Sequence, residues 1–381
     1  MIDYPNKLQI IFDKLNKIKI KPIIVGGYVR DYLQGLYSKD IDIELYNVTS
    51  YEKLQKILSE FGNTNILGKN YGVIKLKIDN INIDFSLPRT DSKISNGHKG
   101  FKIDTSKTLD FKSASFRRDF TINTIGYDIF TKTLLDPYNG IDDLKNKILK
   151  YVDKNTFKED PLRVLRAMQF CARFELKIDS NLINLCQEMI YENCLEELPH
   201  ERIYEEFKKL FLKAKKPSTG LKFLKTINGL DFFNELVMDN NLWQSTLKSI
   251  NSFHDINTTN TNMTILLALL CYKIDENKID SFIAKLTNKK NIVKDIKSFH
   301  HVAKYFQNTN TILLYKILKD INIDEIKVFL GALEINVSNI ELIYPTVHGR
   351  DLIKLGIQPS KDFNYILQKK YEEQIKKVIF R

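Results

Sequence analysis

No run of roughly 18 apolar residues, the length a membrane-spanning helix needs, occurs anywhere in the 381-residue chain. The opening stretch MIDYPNKLQ has no apolar core of the kind an export signal carries. Cysteine is scarce too. The four residues Cys171, Cys186, Cys194 and Cys271 show no CxxC spacing and no histidine at zinc-ligand intervals. All four fall in apolar helical patterns, so buried free thiols in a reducing, cytoplasmic compartment are expected, with no membrane partner. No internal repeat is visible, and strand signals nearly vanish beyond about residue 150.

What is present is the composition of a folded protein, with 43% hydrophobic and 28% charged residues. The length exceeds one ordinary core and predicts two or more domains. The 58 Lys and Arg against 47 Asp and Glu give a formal charge of +11, which suits a polyanionic partner such as nucleic acid.

Leu8, Ile11, Phe12 and Leu15 have helical spacing, and residues 22–25 read as a short buried strand running into Gly26-Gly27. A short helix over 28–36, a strand over 40–45, a helix over 50–61 and two strands at 73–78 and 81–85 follow. Asp79-Asn80 between the last two is a hairpin signal. The first third is therefore α+β, with an antiparallel or mixed sheet. Residues 88–115, with Asn96-Gly97 and Lys99-Gly100, read as a long loop. Helical patterns then cover about 161–174, 180–193, 200–214 and 218–227 and continue to the end.

Within GGYVRDYLQGLYSKDIDIE, Gly26 and Gly27 let the backbone approach an anion where a helix starts, and Arg30 lies within reach of the same anion. Asp40 and Asp42 alternate on a strand, so both face one side, roughly 7 Å apart. Such a pair is either a solvated acidic strand or a site for Mg2+, whose remaining positions take water and substrate phosphates. The glycine turn just upstream favours the metal. Asp84 offers a third carboxylate, either to position an attacking hydroxyl or as a structural group.

SFRRDFTIN places Arg117 and Arg118, suited to a triphosphate, before Asp119 and Asn123, which share one face if the stretch is helical and suit ribose hydroxyls. In EDPLRVLR, Asp160 precedes Pro161, an N-cap pattern. Arg163, Arg166 and Arg173 recur at helical spacings and make one basic face. The Asp160/Arg163 pair matches the amine-and-acceptor edge shared by cytosine and adenine, a means of choosing C and A without a template.

GGYVRDYLQGLYSKDIDIE, FRRDFTINTIGYD and EDPLRVLRAMQFCARF resemble motifs of the bacterial tRNA nucleotidyltransferase and poly(A) polymerase family, the class II CCA-adding enzymes. PHERIYEEFKKLFLKAKKPSTGLKFL is similar to that family's helical neck, and HGRDLIKLGIQPSKDF to its tail. The resemblance implies a polymerase-β-like nucleotidyltransferase head over 1–150, an all-α neck over 151–229, a body over 230–340 and a tail over 341–381. It implies Mg2+ on Asp40 and Asp42. Gly27, Arg30 and Arg118 would contact the triphosphate, Asp119 and Asn123 the ribose side, and Asp160, Arg163 and Arg166 the base and nucleotide. The implied activity is addition of CMP and AMP to the tRNA 3′ end from CTP and ATP, with tRNA held along the basic helical part.

One departure stands out. Relatives with a phosphohydrolase domain carry Trp-x-His and Cys-His-Asp, whereas Gln244, Tyr272 and Lys273 occupy those places here. A helical body that has lost hydrolase activity is expected, with His254, His300 and His301 in surface or packing roles. The rivals are an A-adding-only enzyme, a poly(A) polymerase, and a non-catalytic RNA-binding protein on the same fold. A dinucleotide-binding enzyme is disfavoured because GGYVRD lacks spaced glycines.

Overall fold

The computed structural model describes residues 2–67, 73–78, 81–93, 101–104, 109–256, 262–307, 311–319, 321–335 and 343–379. The chain divides into two compact units, one of Met1–Pro199 with Lys222–Phe232 and the other of His200–Leu221 with Phe233–Arg381.

In the first unit, Leu8, Ile11, Phe12 and Leu15 place α1 (Asn6–Lys17) against the sheet as one fully buried stripe. Each large side chain buried this way contributes about 1.5–3 kcal/mol. Strand β1 (Lys21–Val25) leads through Gly26 into α2 (Gly27–Leu33). That helix stops where Gly35 takes φ 70°, and Leu36 N–H donates back to the Asp31 carbonyl at 2.9 Å. Then come β2 (Asp40–Tyr46), α3 (Tyr51–Ser59), β3 (Thr64–Leu67), β4 (Val73–Ile78) and β5 (Ile81–Ser86). The Ser50 hydroxyl caps α3 by accepting from Lys53 N–H at 3.2 Å.

Thr90–Lys93 (β6) and Phe101–Asp104 (β7) pair as an antiparallel ladder where a structureless loop was expected. The first is polar throughout and the second is only four residues long, too short for its alternation to register as a strand in the sequence. The two Asn-Gly and Lys-Gly turns expected there lie outside the described residues, as does Asp79-Asn80. Next are α4 (Phe111–Ser115), β8 (Gly126–Asp128), β9 (Thr133–Leu135), α5 (Gly140–Lys145) and β10 (Ile148–Leu149). Helices α6 (Lys154–Glu159) and α7 (Leu162–Arg173), strand β11 (Lys177–Ile178) and α8 (Ser180–Tyr191) follow.

The main sheet has the order β3-β4-β5-β2-β1-β8-β9. β2 and β5 are parallel, while the other neighbouring pairs are antiparallel, so the sheet is mixed as expected. Along β2, Ile41, Ile43 and Leu45 are buried, and Asp40 and Asp42 open onto the other face. Tyr46 on that second face packs with Ile23, Val25 and the partly buried Phe111 and Leu135. β10, just before residue 150, and β11, beyond it, form a two-residue parallel pair that no strand signal announced.

The second unit is helical among its described residues: α9 (His200–Lys213), α10 (Ser218–Thr226, which the division cuts), α11 (Asn240–Ile256), α12 (Met263–Cys271), α13 (Glu276–Ala284), α14 (Lys290–Gln307), α15 (Thr311–Leu318), α16 (Ile323–Ala332), α17 (Gly349–Lys354) and α18 (Phe363–Ile379). α12 is apolar nearly all round and accordingly buried, packed against α11, α14 and α16. Tyr272 lies edge-on to Phe329, the Lys273 ammonium sits 4.4 Å from the Tyr272 ring centroid, and His301 Nε2 is 2.9 Å from Glu276. Tyr371 of α18 donates to the carbonyls of Ile343 and Tyr315 and anchors the last helix.

Candidate active site

Strand register builds the site. Asp40 and Asp42 stand on the exposed face of β2, and parallel pairing with β5 sets Asp42 opposite Asp84 and Asp40 opposite Asn82. Asn82 donates to Asp40 Oδ1 at 3.2 Å. On the next strand Lys75 lies opposite Asp84, with its ammonium 3.1 Å from Asp84 Oδ2. Partial desolvation pushes the Asp42 carboxyl above the ordinary aspartate range, and the negative charges of Asp84, Asp40 and Glu44 add to this, against the pull of Arg118.

A cation relieves that crowding. The donors are hard carboxylate oxygens, as Mg2+ or another hard divalent ion requires. Among the described residues no group of three or more His, Cys, Asp or Glu is close enough to enclose a metal. Asp40 and Asp42 offer hard oxygens on one open face, a donor set that suits a hard divalent ion whose other positions are taken by water and substrate.

The third acid of the alternation, Glu44, has a different fate and was not singled out from sequence. Its side chain is 1% exposed, accepts from Arg118 Nη2 at 2.8 Å and from Tyr46 Oη at 2.9 Å, and lies 3.5 Å from Arg117 Nη2. Burial alone would raise its pKa, but Arg118 and Arg117 outweigh that and hold it below the usual range. Arg118 also donates to the Asn123 carbonyl at 2.8 Å. Its guanidinium passes beneath Gly26, where an added Cβ would meet Nη1 at 2.9 Å. Gly26 takes φ 67° and ψ −125°, so glycine is required there by conformation and by contact.

Arg30 does not project toward an open anion site. It is 5% exposed, donates to Asn123 Oδ1 at 2.6 Å and to Asp31 Oδ1, and lies 4.4 Å from the Phe174 ring centroid. Burial lowers its pKa, with Asp31 opposing.

Asp119 and Asn123 come together without the α-helix that their spacing suggested, since only Thr121–Asn123 forms a short 3₁₀ turn. Asn123 Nδ2 donates to Asp119 Oδ1 at 2.8 Å, and Arg166 Nε donates to Asp119 Oδ2 at 2.6 Å. Burial pushes the Asp119 carboxyl up, but Arg166 and the Asn123 bond outweigh it and hold it low. Both side chains are only 7% exposed and are committed to arginines of α2 and α7.

Of the expected basic face of α7, Arg163 and Arg166 are thus docked on the head, while Arg173 bonds Gln169 of its own helix. Arg163 donates to the carbonyls of Thr156 at 2.7 Å and Arg117 at 2.6 Å. The N-cap position of α7 falls on Pro161 rather than on Asp160 as expected, while Asp160 ends α6 and accepts from Leu162 N–H at 3.2 Å. Its carbonyl also accepts from Arg163 N–H, which keeps the pair in one turn.

A model of the poly A polymerase head domain matches residues 23–150, the span that carries every one of these sheet carboxylates and both arginines of SFRRDF. A multifunctional CCA protein of Xylella fastidiosa is 33% identical over 215 residues, covering 56% of this chain and 49% of its own length. Residues 23–150 thus match the poly A polymerase head domain, and the chain is similar to CCA-adding proteins.

A CCA-adding enzyme of Francisella tularensis subsp. novicida is 29% identical over 319 residues, covering 80% of this chain and 79% of its own. The chain spans about half the length of the multifunctional relative and more of the second. A solved CCA-adding enzyme in complex with CTP superimposes with a TM-score of 0.72 at 19% identity, covering 98% of this chain and 92% of that one, so the two share a fold. Nucleotidyltransferases of this family work with a divalent metal ion. None of the described helices is long and apolar enough to cross a membrane.

Proposed function

We propose that the protein extends the 3′ end of tRNA with CMP and AMP, taken from CTP and ATP, by Mg2+-dependent nucleotidyl transfer without a template. The observation that carries the reading is the row made by Asp40, Asp42 and Asp84 across two parallel strands, beside Arg118 beneath the Gly26 turn. The named relatives and the CTP-bound neighbour point the same way.

Asp40 and Asp42 would hold the metal, which would supply positive charge against the α-phosphate. Gly26, Gly27 and Arg118 face the leaving phosphates, with Arg117 beside them. Glu44 fixes the two arginines, so they need not reorganise when charge develops. Asp84 sits where an attacking hydroxyl arrives and orients it. Arg30, Asp119, Asn123 and Arg166 brace α7 on the head, which sets the Asp160/Arg163 pair at the place of the base. No step needs covalent attachment to the protein, since positioning and electrostatics suffice for phosphoryl transfer.

The experiment is incorporation by the purified full chain, with CTP and ATP supplied separately, on tRNA ending at the discriminator base, after one C, or after CC. Ordered addition of C, C and A is expected. Addition of A alone to the CC substrate identifies an A-adding enzyme, and untemplated A tails on any RNA identify a poly(A) polymerase, the activity the head-domain description names. Full activity of Asp40→Ala and Asp42→Ala removes the metal assignment.

A further inference from the structure

We propose that Lys75 and Lys77 of β4 bind backbone phosphates of the RNA strand whose 3′ end is extended. The inference rests on the nucleotidyl-transfer reading above. In such a transfer the attacking and leaving oxygens lie roughly in line through the α-phosphorus. The groups that take the leaving phosphates lie on the β1 side of β2, because Val25, next to Gly26, pairs with Asp42. The attacking strand must then approach from the opposite side of β2, across β5 and β4.

On that side the register is explicit. Asp84 and Asn82 of β5 lie opposite Asp42 and Asp40, and Lys75 and Lys77 of β4 lie opposite Asp84 and Asn82. Directly paired residues point to the same face, and the lysines alternate with buried Ile74, Leu76 and Ile78. Both lysines therefore share the face of the three carboxylates and are exposed there. Two strand spacings, roughly 10 Å, separate their backbones from those of Asp40 and Asp42.

An RNA strand reaching the metal pair meets Asp40, Asp42 and Asp84, all of one sign. Lys75 already offsets Asp84 at 3.1 Å, and Lys77 adds a second cation one strand position on. Protection of a sheet edge does not account for Lys75, since β3 pairs along residues 73–76 of β4 and makes the strand interior there. Exposed ammonium groups suit phosphates as mobile point charges, and the interaction they offer reads backbone rather than sequence.

The test uses the full chain and a fluorescent hairpin RNA with a single-stranded 3′ tail. Anisotropy gives Kd without nucleotide or divalent metal across a salt series, and steady-state incorporation gives KM for RNA and for ATP. Lys77→Ala is expected to weaken RNA binding and raise the RNA KM about two- to fivefold, leaving the ATP KM unchanged. The double variant Lys75→Ala/Lys77→Ala should weaken binding about four- to twentyfold and reduce the salt slope by about 0.7 per lysine. Lys77→Arg, which keeps the charge, should restore binding. Wild-type incorporation is scored first, and its absence overturns the nucleotidyl-transfer reading together with the approach direction derived from it. An active wild type whose alanine variants keep the parental Kd and salt slope overturns the lysine assignment alone.

Discussion

Replacing Glu44 with Gln tests the arginine scaffold at its most buried point. Gln keeps the volume and one carbonyl acceptor but removes the charge that faces Arg118 Nη2 at 2.8 Å and Arg117 Nη2 at 3.5 Å. A hydrogen bond to a charged partner contributes about 1.5–3 kcal/mol, and Glu44→Gln should cost that much. Glu44→Ala goes further. It strips the counter-charge from an Arg118 side chain that is only 13% exposed, and breaking a buried pair from one end costs about 3–5 kcal/mol. For a unit of this size each kcal/mol moves Tm by about 2–4 °C, so Glu44→Gln should melt roughly 3–12 °C below the parent and Glu44→Ala lower still.

The same loss reaches the nucleotide site, because a guanidinium released from Glu44 no longer stays beneath Gly26. The nucleotide KM should rise by about tenfold, while RNA affinity measured without nucleotide stays unchanged. Thermal denaturation and separate KM determinations read the two arms. A Glu44→Gln protein that melts within 1 °C of the parent and keeps its nucleotide KM refutes the view that Glu44 holds these arginines.

Gly26→Ala places a Cβ at a φ of 67° and 2.9 Å from Arg118 Nη1, so a loss of about 1–3 kcal/mol and a raised nucleotide KM are expected from melting and kinetics. Parental values for both exclude the turn from the site. Asp119 sits below the usual carboxylate range in the folded state, so its contribution is full above the unfolded aspartate pKa of about 3.9 and is lost as pH falls through the folded value. Asp119→Asn should therefore be less stable than the parent at pH 7, with the gap in Tm closing as pH drops below about 4. A gap that stays constant with pH shows that Arg166 does not draw on the Asp119 charge.

The parts of the head that were legible in sequence are those whose signal is local. Ile41, Ile43 and Leu45 alternate with Asp40 and Asp42, so strand and site face were fixed together. Gly26 announced the turn, and the apolar spacing of α1 announced its buried stripe. The three-residue strands β8 and β9 and the four-residue β7 are too short for periodicity, and β6 lacks apolar residues, so those escaped. The larger loss concerned partners far apart in the chain. Arg30 read as a free cation within reach of a phosphate, yet it bonds Asn123, 93 residues away, and lies over Phe174. Glu44 continued the same alternation as the two aspartates, but only burial and Arg118 distinguish it from them.

That distinction separates two uses of the acidic side chains on one sheet face. Asp42 is pushed up by desolvation and by its acidic neighbours, the condition of a carboxylate still short of positive charge. Glu44 and Asp119 are held low despite deeper burial, because each already has its arginines. A cation entering the face would relieve the negative charge crowded at Asp42 and would gain little at Glu44, which Arg118 already holds. Arg118 and Arg117 are in turn fixed by Glu44, a counter-charge buried inside the protein. Asp42 on β2 and the guanidinium of Arg118, which comes from the segment after α4 and is held by Glu44, can therefore stand near one another with each keeping its own charge, the separation that the proposed nucleotidyl transfer needs before either substrate arrives.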